Sequence, residues 1–159
     1  AASPDSLCFG KGNGSLSAQE QACTAVLQRP ILLPQQKFQA RMIRGSAFYL
    51  QHQFQKAIAD FTAAIQMNPQ EKDAWSVRGN VYLTLGDFLH AQQDSDAALN
   101  ISPDDPRMLN NRCWIYAARR KFAAALADCN RSLALAPRSP ETLDPGGLCA
   151  TMIRAATAN

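Results

Sequence analysis

The sequence predicts an all-α fold of stacked antiparallel helical hairpins. Small, aromatic, alanine and proline residues recur along the chain at one fixed step, which is the distance in sequence from Gly45 to Gly79. The members of this series are the small residues Gly45, Gly79 and Cys113, the aromatic residues Phe48, Tyr82 and Tyr116, the alanines Ala57, Ala91 and Ala125, and the prolines Pro69, Pro103 and Pro137. Such a period is typical of helical repeats, in which each hairpin buries its apolar faces only against its neighbours.

Each repeat divides into two helices joined by a tight turn. The first helices are predicted over about 36–50, 71–85 and 105–119, and the second helices over about 54–67, 88–101 and 122–135. The turns between them are predicted at Gln51-His52-Gln53, Gly86-Asp87 and Arg120-Lys121. An X-Pro pair is expected to end each second helix, because proline disfavours helical geometry in the residue before it. The three pairs are Asn68-Pro69, Ser102-Pro103 and Ala136-Pro137.

The two ends of the chain depart from the repeat. Residues 1–16 are predicted to form a coil, since they are rich in glycine and have no periodic apolar pattern. Ser17 to Glu20 has the pattern of a capping box, and the helix it predicts aligns with the second helix of the first repeat, with Cys23 matched to Phe61. Residues 17–37 are therefore predicted to be a half repeat. Residues 140–159 are predicted to close the array, with a short helix from Leu148 to Ala156.

Composition limits the class of function. The chain has 159 residues, enough for one domain, of which 47% are hydrophobic and 18% charged, as in ordinary globular proteins. A formal net charge of +3, scattered along the chain, does not make the basic stripe of a nucleic-acid-binding protein. No apolar run reaches the roughly 18 residues of a membrane span. Since no histidines, cysteines or carboxylates stand at ligand spacing, no metal or other cofactor is predicted.

In these features the chain resembles the tetratricopeptide repeat family. The residues that carry the resemblance are Trp75, Gly79, Tyr82, Ala91 and Pro103. The three repeats implied are 38–71, 72–105 and 106–139. The resemblance implies a right-handed superhelical array of hairpins, a solenoid. It also implies a non-enzymatic protein that binds a peptide segment of a partner protein in a concave groove.

The family lines its groove with fixed positions of each first helix. Carried onto this sequence, those positions are Met42, Ser46, Tyr49, Asp73, Ser76, Asn80, Leu83, Arg107, Asn110 and Trp114, together with Gln39 and Ala117. The amide of Asn80 can both donate to and accept from a peptide backbone. Tyr49 and Trp114 are aromatics of the type that anchors partners, unless they lie under the terminal segments. Arg107 can contact a carboxylate.

One subfamily binds the acidic C-terminal tails of heat-shock chaperones through a clamp of lysine, asparagine and arginine. This sequence keeps Asn80 of that clamp. Met42 and Ser46 replace the lysine and asparagine of the first repeat, and Asn111 stands where the clamp has arginine. These departures argue against a chaperone tail as the ligand.

The alternative function is structural. The edge at residues 140–159, or a free cysteine, would then join copies of the chain into homo-oligomers, and the protein itself would fill the groove. A solvent-exposed Trp114 is expected for an open groove, and a buried one for self-assembly. Neither function involves catalysis, because the sequence contains no recognisable pair of nucleophile and base.

Arginine and aspartate also recur at the repeat step. The two series are Arg44, Arg78 and Arg112, and Asp60, Asp94 and Asp128. We expect each arginine to pair with an aspartate at a half-buried helix contact, because the planar guanidinium suits such a pair better than lysine. Pairing within a repeat would join Arg78 to Asp94. Pairing across repeats, which is favoured because it knits hairpins together, would join Arg78 to Asp60. It would also join Arg112 to Asp94.

Five cysteines indicate which parts of the chain could be cross-linked: Cys8, Cys23, Cys113, Cys129 and Cys149. A disulfide between Cys8 and Cys23 would tie the N-terminal coil to the first helix, closing a loop of about 15 residues worth roughly 3 kcal/mol. Two unpaired thiols are the alternative, expected in a reducing cytoplasm. Cys113 and Cys129 face each other in one hairpin and are expected to be buried neighbours, with a disulfide as the alternative.

The compartment is predicted from the same cysteines. Eleven arginines against five lysines, with abundant alanine, indicate the coding bias of a bacterial protein. Cys8, followed by Cys23 in an alanine-rich helix, is similar to the start of exported bacterial members of the family. A periplasmic or secreted location is therefore predicted, with the cytoplasm as the alternative.

Overall fold

The computed structural model describes residues 3–10 and 14–137. These residues form eight α-helices and, within the same ranges, no strand. The helices are α1 (Pro4–Phe9), α2 (Leu16–Leu27), α3 (Pro34–Leu50), α4 (Phe54–Met67), α5 (Lys72–Thr84), α6 (Phe88–Ile101), α7 (Pro106–Ala118) and α8 (Phe122–Leu135). The chain divides into two compact units between Val81 and Tyr82, within α5. The predicted all-α fold is confirmed.

The turns that follow α3, α5 and α7 repeat one local conformation. A residue with positive φ stands in each, namely His52 at 59°, Gly86 at 74° and Arg120 at 58°. After α3, the N–H of Gln53 donates to the carbonyl of Phe48 at 2.8 Å and that of His52 to Tyr49 at 3.0 Å. These two bonds define a Schellman motif, which satisfies carbonyls at the end of a helix. The bond from Gln53 to Phe48 has two equivalents: the N–H of Asp87 donates to the carbonyl of Tyr82, and the N–H of Lys121 donates to the carbonyl of Tyr116. The predicted turns are confirmed.

The second helix of each repeat ends where the X-Pro pairs predict. α4, α6 and α8 end one residue before Asn68, Ser102 and Ala136. These three cap residues leave helical geometry, with φ values of −142°, −135° and −141°. The cause is the ring of the following proline, which excludes the helical region for the residue before it.

The hairpin of α3 and α4 forms the centre of the first unit. A Cβ atom built on Gly45 would lie 2.7 Å from Cε1 of Phe61, so only a residue without a side chain fits there. Phe61 is buried together with Phe48, Ala57 and Val81. The small position of the repeat therefore lets the two helices approach closely.

The N-terminal segment is not a coil. Within the predicted 1–16 coil, α1 is capped by Ser3, whose Oγ accepts from the N–H of Ser6 at 3.2 Å. Pro4 occupies the first turn of this helix, where a backbone N–H would make no hydrogen bond within the helix, so the lack of one in proline costs nothing. α1 packs against α2 and α3, so α2 has a partner helix ahead of the first repeat. Six helical residues are too few to show a period in the sequence.

The cap of α2 also differs from the prediction. α2 begins at Leu16, and the hydroxyl of Ser15 accepts from the N–H of Ala18 at 3.2 Å. The capping box predicted from Ser17 is therefore wrong. Ser15 offers the same hydroxyl two residues earlier, which lets the helix gain half a turn.

In the second unit, α6 packs against α7, and α7 forms a hairpin with α8. The carboxylate of Asp105 caps α7 by accepting from the N–H groups of Arg107 and Met108 at 3.0 and 3.3 Å. The hydroxyl of Ser132 on α8 donates to the carbonyl of Pro106 at 2.7 Å. The predicted closing segment 140–159 lies outside the described residues.

Candidate functional site: a peptide-sized trough along α3

Two adjoining clefts open on the first unit beside α3. Phe38, Gln39 and Glu71 line both of them. The first cleft, of about 390 Å³, is completed by Phe9, Met42, Ile43 and Asp73. The second, of about 490 Å³, is completed by Pro34, Gln35, Met67 and Asn68. Because the clefts share three residues, they adjoin, and the two together are hereafter called the α3 trough.

The floor of the α3 trough is apolar. Phe38 and Met42 are four residues apart on α3 and therefore lie on one face of the helix. Ile43 lies beside them, and Met67 comes from the last turn of α4. Phe38, Met42 and Ile43 are half-buried and Met67 is exposed, so part of each apolar side chain faces the cleft and not the core. Such a surface can hold the apolar side chains of a ligand.

Helix α1 supplies the wall that sequence reasoning missed. Phe9, its last residue, lines the first cleft. The neighbouring Cys8 is fully buried, with its Cα atom 4.8 Å from that of Cys23. The guanidinium of Arg29 holds the start of α1 through two bonds to Asp5 at 2.8 and 2.9 Å, which raise the pKa of Arg29. These contacts fix Phe9 beside α3.

One sequence signal could have located α1. The alignment of the first predicted helix with the second helix of the first repeat matches Cys23 to Phe61, which lies against Gly45. Cys8 lies against Cys23 as Gly45 lies against Phe61. The same alignment therefore predicts a partner helix that contains Cys8.

The charged residues among the described lining of the α3 trough are both acidic. Glu71 precedes α5, and Asp73 lies in the first turn of α5. The Glu71 carboxylate accepts the backbone N–H of Asp73 at 3.5 Å, a long bond that neutralises little of its charge. Neutral amides complete the polar lining: Gln35, Gln39 and Asn68. The lining of the trough thus combines apolar side chains with the carboxylates of Glu71 and Asp73, hereafter the acidic rim.

The predicted groove residues of the first unit lie partly inside and partly outside the α3 trough. Gln39, Met42 and Asp73 line it. Ser46 is exposed, with its hydroxyl bonded to the carbonyl of Met42 at 2.9 Å. Tyr49 is half-buried, its ring centroid 5.9 Å from that of Phe54 in the α3–α4 seam. The remaining two, Ser76 and Asn80, are half-buried on α5.

The predicted groove residues of the second unit are less accessible. Arg107 is exposed at the start of α7, and Leu83 is half-buried. Asn110 is only 4% exposed, and its Oδ1 is enclosed without a hydrogen-bond partner. Trp114 packs on the buried cluster that contains Cys113, with its indole N–H also enclosed and unbonded. Asn110 is therefore enclosed and not open to a ligand, whereas Trp114 is half-buried and its place in a groove stays a prediction.

Two arginine–aspartate pairs of the repeating series form bonds within hairpins. Nε and Nη2 of Arg44 donate to the two oxygens of Asp60 at 2.7 and 2.8 Å, and Arg41 donates to the same carboxylate at 2.8 Å. Nε and Nη2 of Arg112 donate to Asp128 at 2.6 and 2.9 Å, which raises the pKa of Arg112. The favoured pairing across repeats, of Arg78 with Asp60 and of Arg112 with Asp94, is therefore wrong.

The remaining guanidinium nitrogen of each arginine makes the contact across repeats. Nη1 of Arg44 donates to Thr24 at 3.1 Å, and Nη1 of Arg78 donates to Thr62 at 2.9 Å. Nη1 of Arg112 reaches Asp96 at 2.9 Å. Each arginine thus joins its own helix to a helix of the preceding hairpin, although the partner is not the repeating aspartate. The guanidinium groups therefore connect helices of neighbouring hairpins.

Metal-binding clusters and membrane-spanning helices are not found in the described part of the chain. No group of three or more histidines, cysteines or carboxylates there could hold a metal ion. None of the helices described is both long and apolar enough to cross a membrane. His90 stacks on Tyr82 with ring centroids 5.0 Å apart and lies 2.7 Å from the carboxylate of Asp87. Hydrogen bonds from His90 lower the pKa of Asp87.

Consecutive antiparallel hairpins with one turn conformation and one register of small residues define a helical-repeat protein. The chain belongs to the tetratricopeptide repeat family, whose sequence model matches residues 15–72, 44–93 and 77–140. The family and fold are generally those of non-catalytic scaffolds for protein interactions. No protein with curated annotation matches the chain in sequence.

Solved structures of the family have the same fold. The first such domain of Spaghetti (RPAP3), bound to the HSP90 peptide SRMEEVD, has a TM-score of 0.72 and 22% identity, over 78% of this chain and 95% of that chain. The second domain of human RPAP3, in complex with the HSP70 peptide SGPTIEEVD, has a TM-score of 0.69 and 18% identity, over 77% and 98%. A tetratricopeptide repeat protein from Parabacteroides merdae has a TM-score of 0.77 and 19% identity, over 90% and 55%.

Proposed function

We propose that this chain is an interaction module that binds an extended peptide segment of a partner protein in the α3 trough. The observation that carries the proposal is the combination of two adjoining clefts, about 390 and 490 Å³, with partly exposed apolar side chains in their floor. Two similar domains are bound to peptides, those of HSP90 and HSP70. A binding role along the first helices is the function that best accounts for this surface.

The lining residues indicate how a peptide is held. Apolar side chains of the peptide enter the two clefts on either side of Phe38, and the loss of apolar surface from water drives association. Gln35, Gln39 and Asn68 can donate to and accept from the peptide backbone. Polar contacts of this kind fix the direction of the segment and add little affinity of their own.

The experiment compares variants on an array of random ten-residue peptides. The double variant Phe38→Ala with Met42→Ala removes apolar side chains that line the α3 trough. The control variant Leu89→Ala removes an apolar side chain of α6 that is 55% exposed and lies in the second unit. Thermal unfolding confirms that both variants fold.

The trough variant is expected to bind peptides at least tenfold more weakly, while the control retains binding. Truncating two apolar contacts reduces the free energy of binding by about 2 kcal/mol. Peptide binding that is equal in the two variants would place the site elsewhere. An absence of binding by the unaltered chain would reject the proposed function.

We also propose that the protein works in an oxidising compartment, in line with a periplasmic or secreted bacterial origin. The Cα atoms of Cys8 and Cys23 are 4.8 Å apart and those of Cys113 and Cys129 are 5.4 Å apart, both within the range of disulfides. All four cysteines are fully buried. They lie in the first and the last hairpin of the described chain, where a disulfide can compensate for contacts that a further hairpin would supply.

Counting thiols in the denatured protein, alkylated at cell lysis, tests this location. With both pairs oxidised, only one of the five cysteines, Cys149, reacts. A count of five would exclude the disulfides and favour the cytoplasm instead.

A further inference from the structure

We propose that the α3 trough selects peptide segments in which lysine or arginine stands between apolar side chains. This inference rests on the proposed function and adds the chemical class of the ligand. Both charged residues of the described lining, Glu71 and Asp73, are carboxylates at the rim of an apolar floor. A cationic segment complements such a rim, whereas an acidic segment is repelled by it.

The acidic rim is a local property of the trough. The chain as a whole has a formal net charge of +3, so general electrostatics would favour acidic ligands. Glu71 is half-buried and forms no ion pair among the described residues, which leaves its charge available to a ligand. Charges at the rim of an interface act mainly on specificity and on the association rate. The trough therefore favours a cationic ligand although the net charge of the chain favours an acidic one.

The position of Glu71 fixes the order of residues in the ligand. Glu71 lines both clefts, so it lies where they join, beside Phe38. Phe9 lines only the first of these clefts and Met67 only the second, and each offers an apolar surface. A ligand that fills both clefts with apolar side chains presents its intervening residues to Glu71. A cation at these central positions gains the electrostatic contact, and a carboxylate there loses it.

The experiment uses three matched sets of fluorescein-labelled ten-residue peptides. Each set carries two leucines or phenylalanines separated by three residues, and those three residues are lysine, serine or glutamate. Fluorescence anisotropy gives the dissociation constant for each set at about 50 mM and about 500 mM NaCl, because screening weakens exposed charge contacts at high salt. The lysine set is expected to bind about five- to tenfold more tightly than the glutamate set at low salt, and the difference should shrink at high salt.

Charge variants locate the preference. Glu71→Gln combined with Asp73→Asn should bring the lysine and glutamate sets to within about twofold of each other. The control, Glu20→Gln combined with Asp104→Asn, removes the same charge outside the trough and should retain the preference. Glu71→Gln alone serves as a second variant that leaves the first turn of α5 unaltered. Thermal unfolding monitors the fold of every variant.

The outcomes separate the inference from the proposed function. If the glutamate set binds as tightly as the lysine set, or if the control abolishes the preference, the inference is overturned while peptide binding stands. If no set binds the unaltered chain, the proposed function fails and the inference with it. A lysine preference that only the trough variants abolish supports both.

Discussion

Replacing Asp60 with asparagine is expected to destabilise the protein far more than the loss of a surface ion pair would. Asp60 is 2% exposed, and its two oxygens accept three hydrogen bonds, at 2.7, 2.8 and 2.8 Å, from Arg41 and Arg44. Asparagine has the same shape, so the substitution opens no cavity. In the variant the amide NH2 group would face the guanidinium donors. The side chain would also lose one of its two acceptor oxygens and its negative charge.

The expected loss can be bounded from this geometry. Removing one partner of a buried ion pair costs about 3–5 kcal/mol, since the remaining charge is left without compensation. The side chains of Arg41 and Arg44 are 27% and 18% exposed, so water recovers part of that cost. We expect about 2–4 kcal/mol, which for a chain of this length lowers Tm by roughly 5–15 °C.

Chemical denaturation followed by circular dichroism measures the effect, with Asp104→Asn as the matched control. Asp104 is 68% exposed and pairs with Arg131, which is 53% exposed. An exposed pair of this kind contributes about 0–1 kcal/mol. Equal losses in the two variants would refute the reasoning that buried arginine–aspartate bonds hold the hairpins together.

Three further predictions concern single positions. Gly45→Ala should lower the free energy of unfolding, measured with denaturant, by about 1–3 kcal/mol, because the new Cβ would lie 2.7 Å from the ring of Phe61. An unchanged free energy would contradict the close approach of the two helices. His52→Gly should stabilise by up to about 1 kcal/mol and Gly86→Ala should destabilise by about as much, since both positions have positive φ; unchanged unfolding midpoints would reject this backbone argument. His90→Ala should raise the pKa of Asp87 towards its ordinary value in an NMR titration. Because folding lowers that pKa, the carboxylate stabilises the native state above its unfolded-state pKa, and this stabilisation is lost as pH falls through the folded-state pKa.

The repeat helices could be predicted closely because their signals are local. α4, α6 and α8 have the predicted bounds, since each X-Pro pair acts on the backbone of the residue beside it. The turns were equally predictable. His52 and Arg120 accept positive φ at the position where Gly86 does, because the helices on both sides require the same reversal.

The candidate site was predicted only in part. Met42 and Asp73 line the α3 trough as the family positions implied, but Phe9, Phe38 and Glu71 were not anticipated. Phe9 belongs to a helix too short to show a period. Phe38 and Glu71 stand at the ends of a repeat, and their surroundings depend on how successive hairpins meet.

The sequence by itself determined the fold class, the repeat register and the bounds of the second helix of each repeat. Those properties follow from periodicity and from backbone restrictions that act over a few residues. Tertiary structure alone decided that Asp60 bonds to Arg44 and not to Arg78, and that α1 contributes Phe9 to the lining of the trough. Asp60 lies at nearly equal distances in sequence from the two arginines, so the sequence alone could not distinguish the two partners. Packing did so, because the contact of Gly45 with Phe61 brings the residues that precede them together.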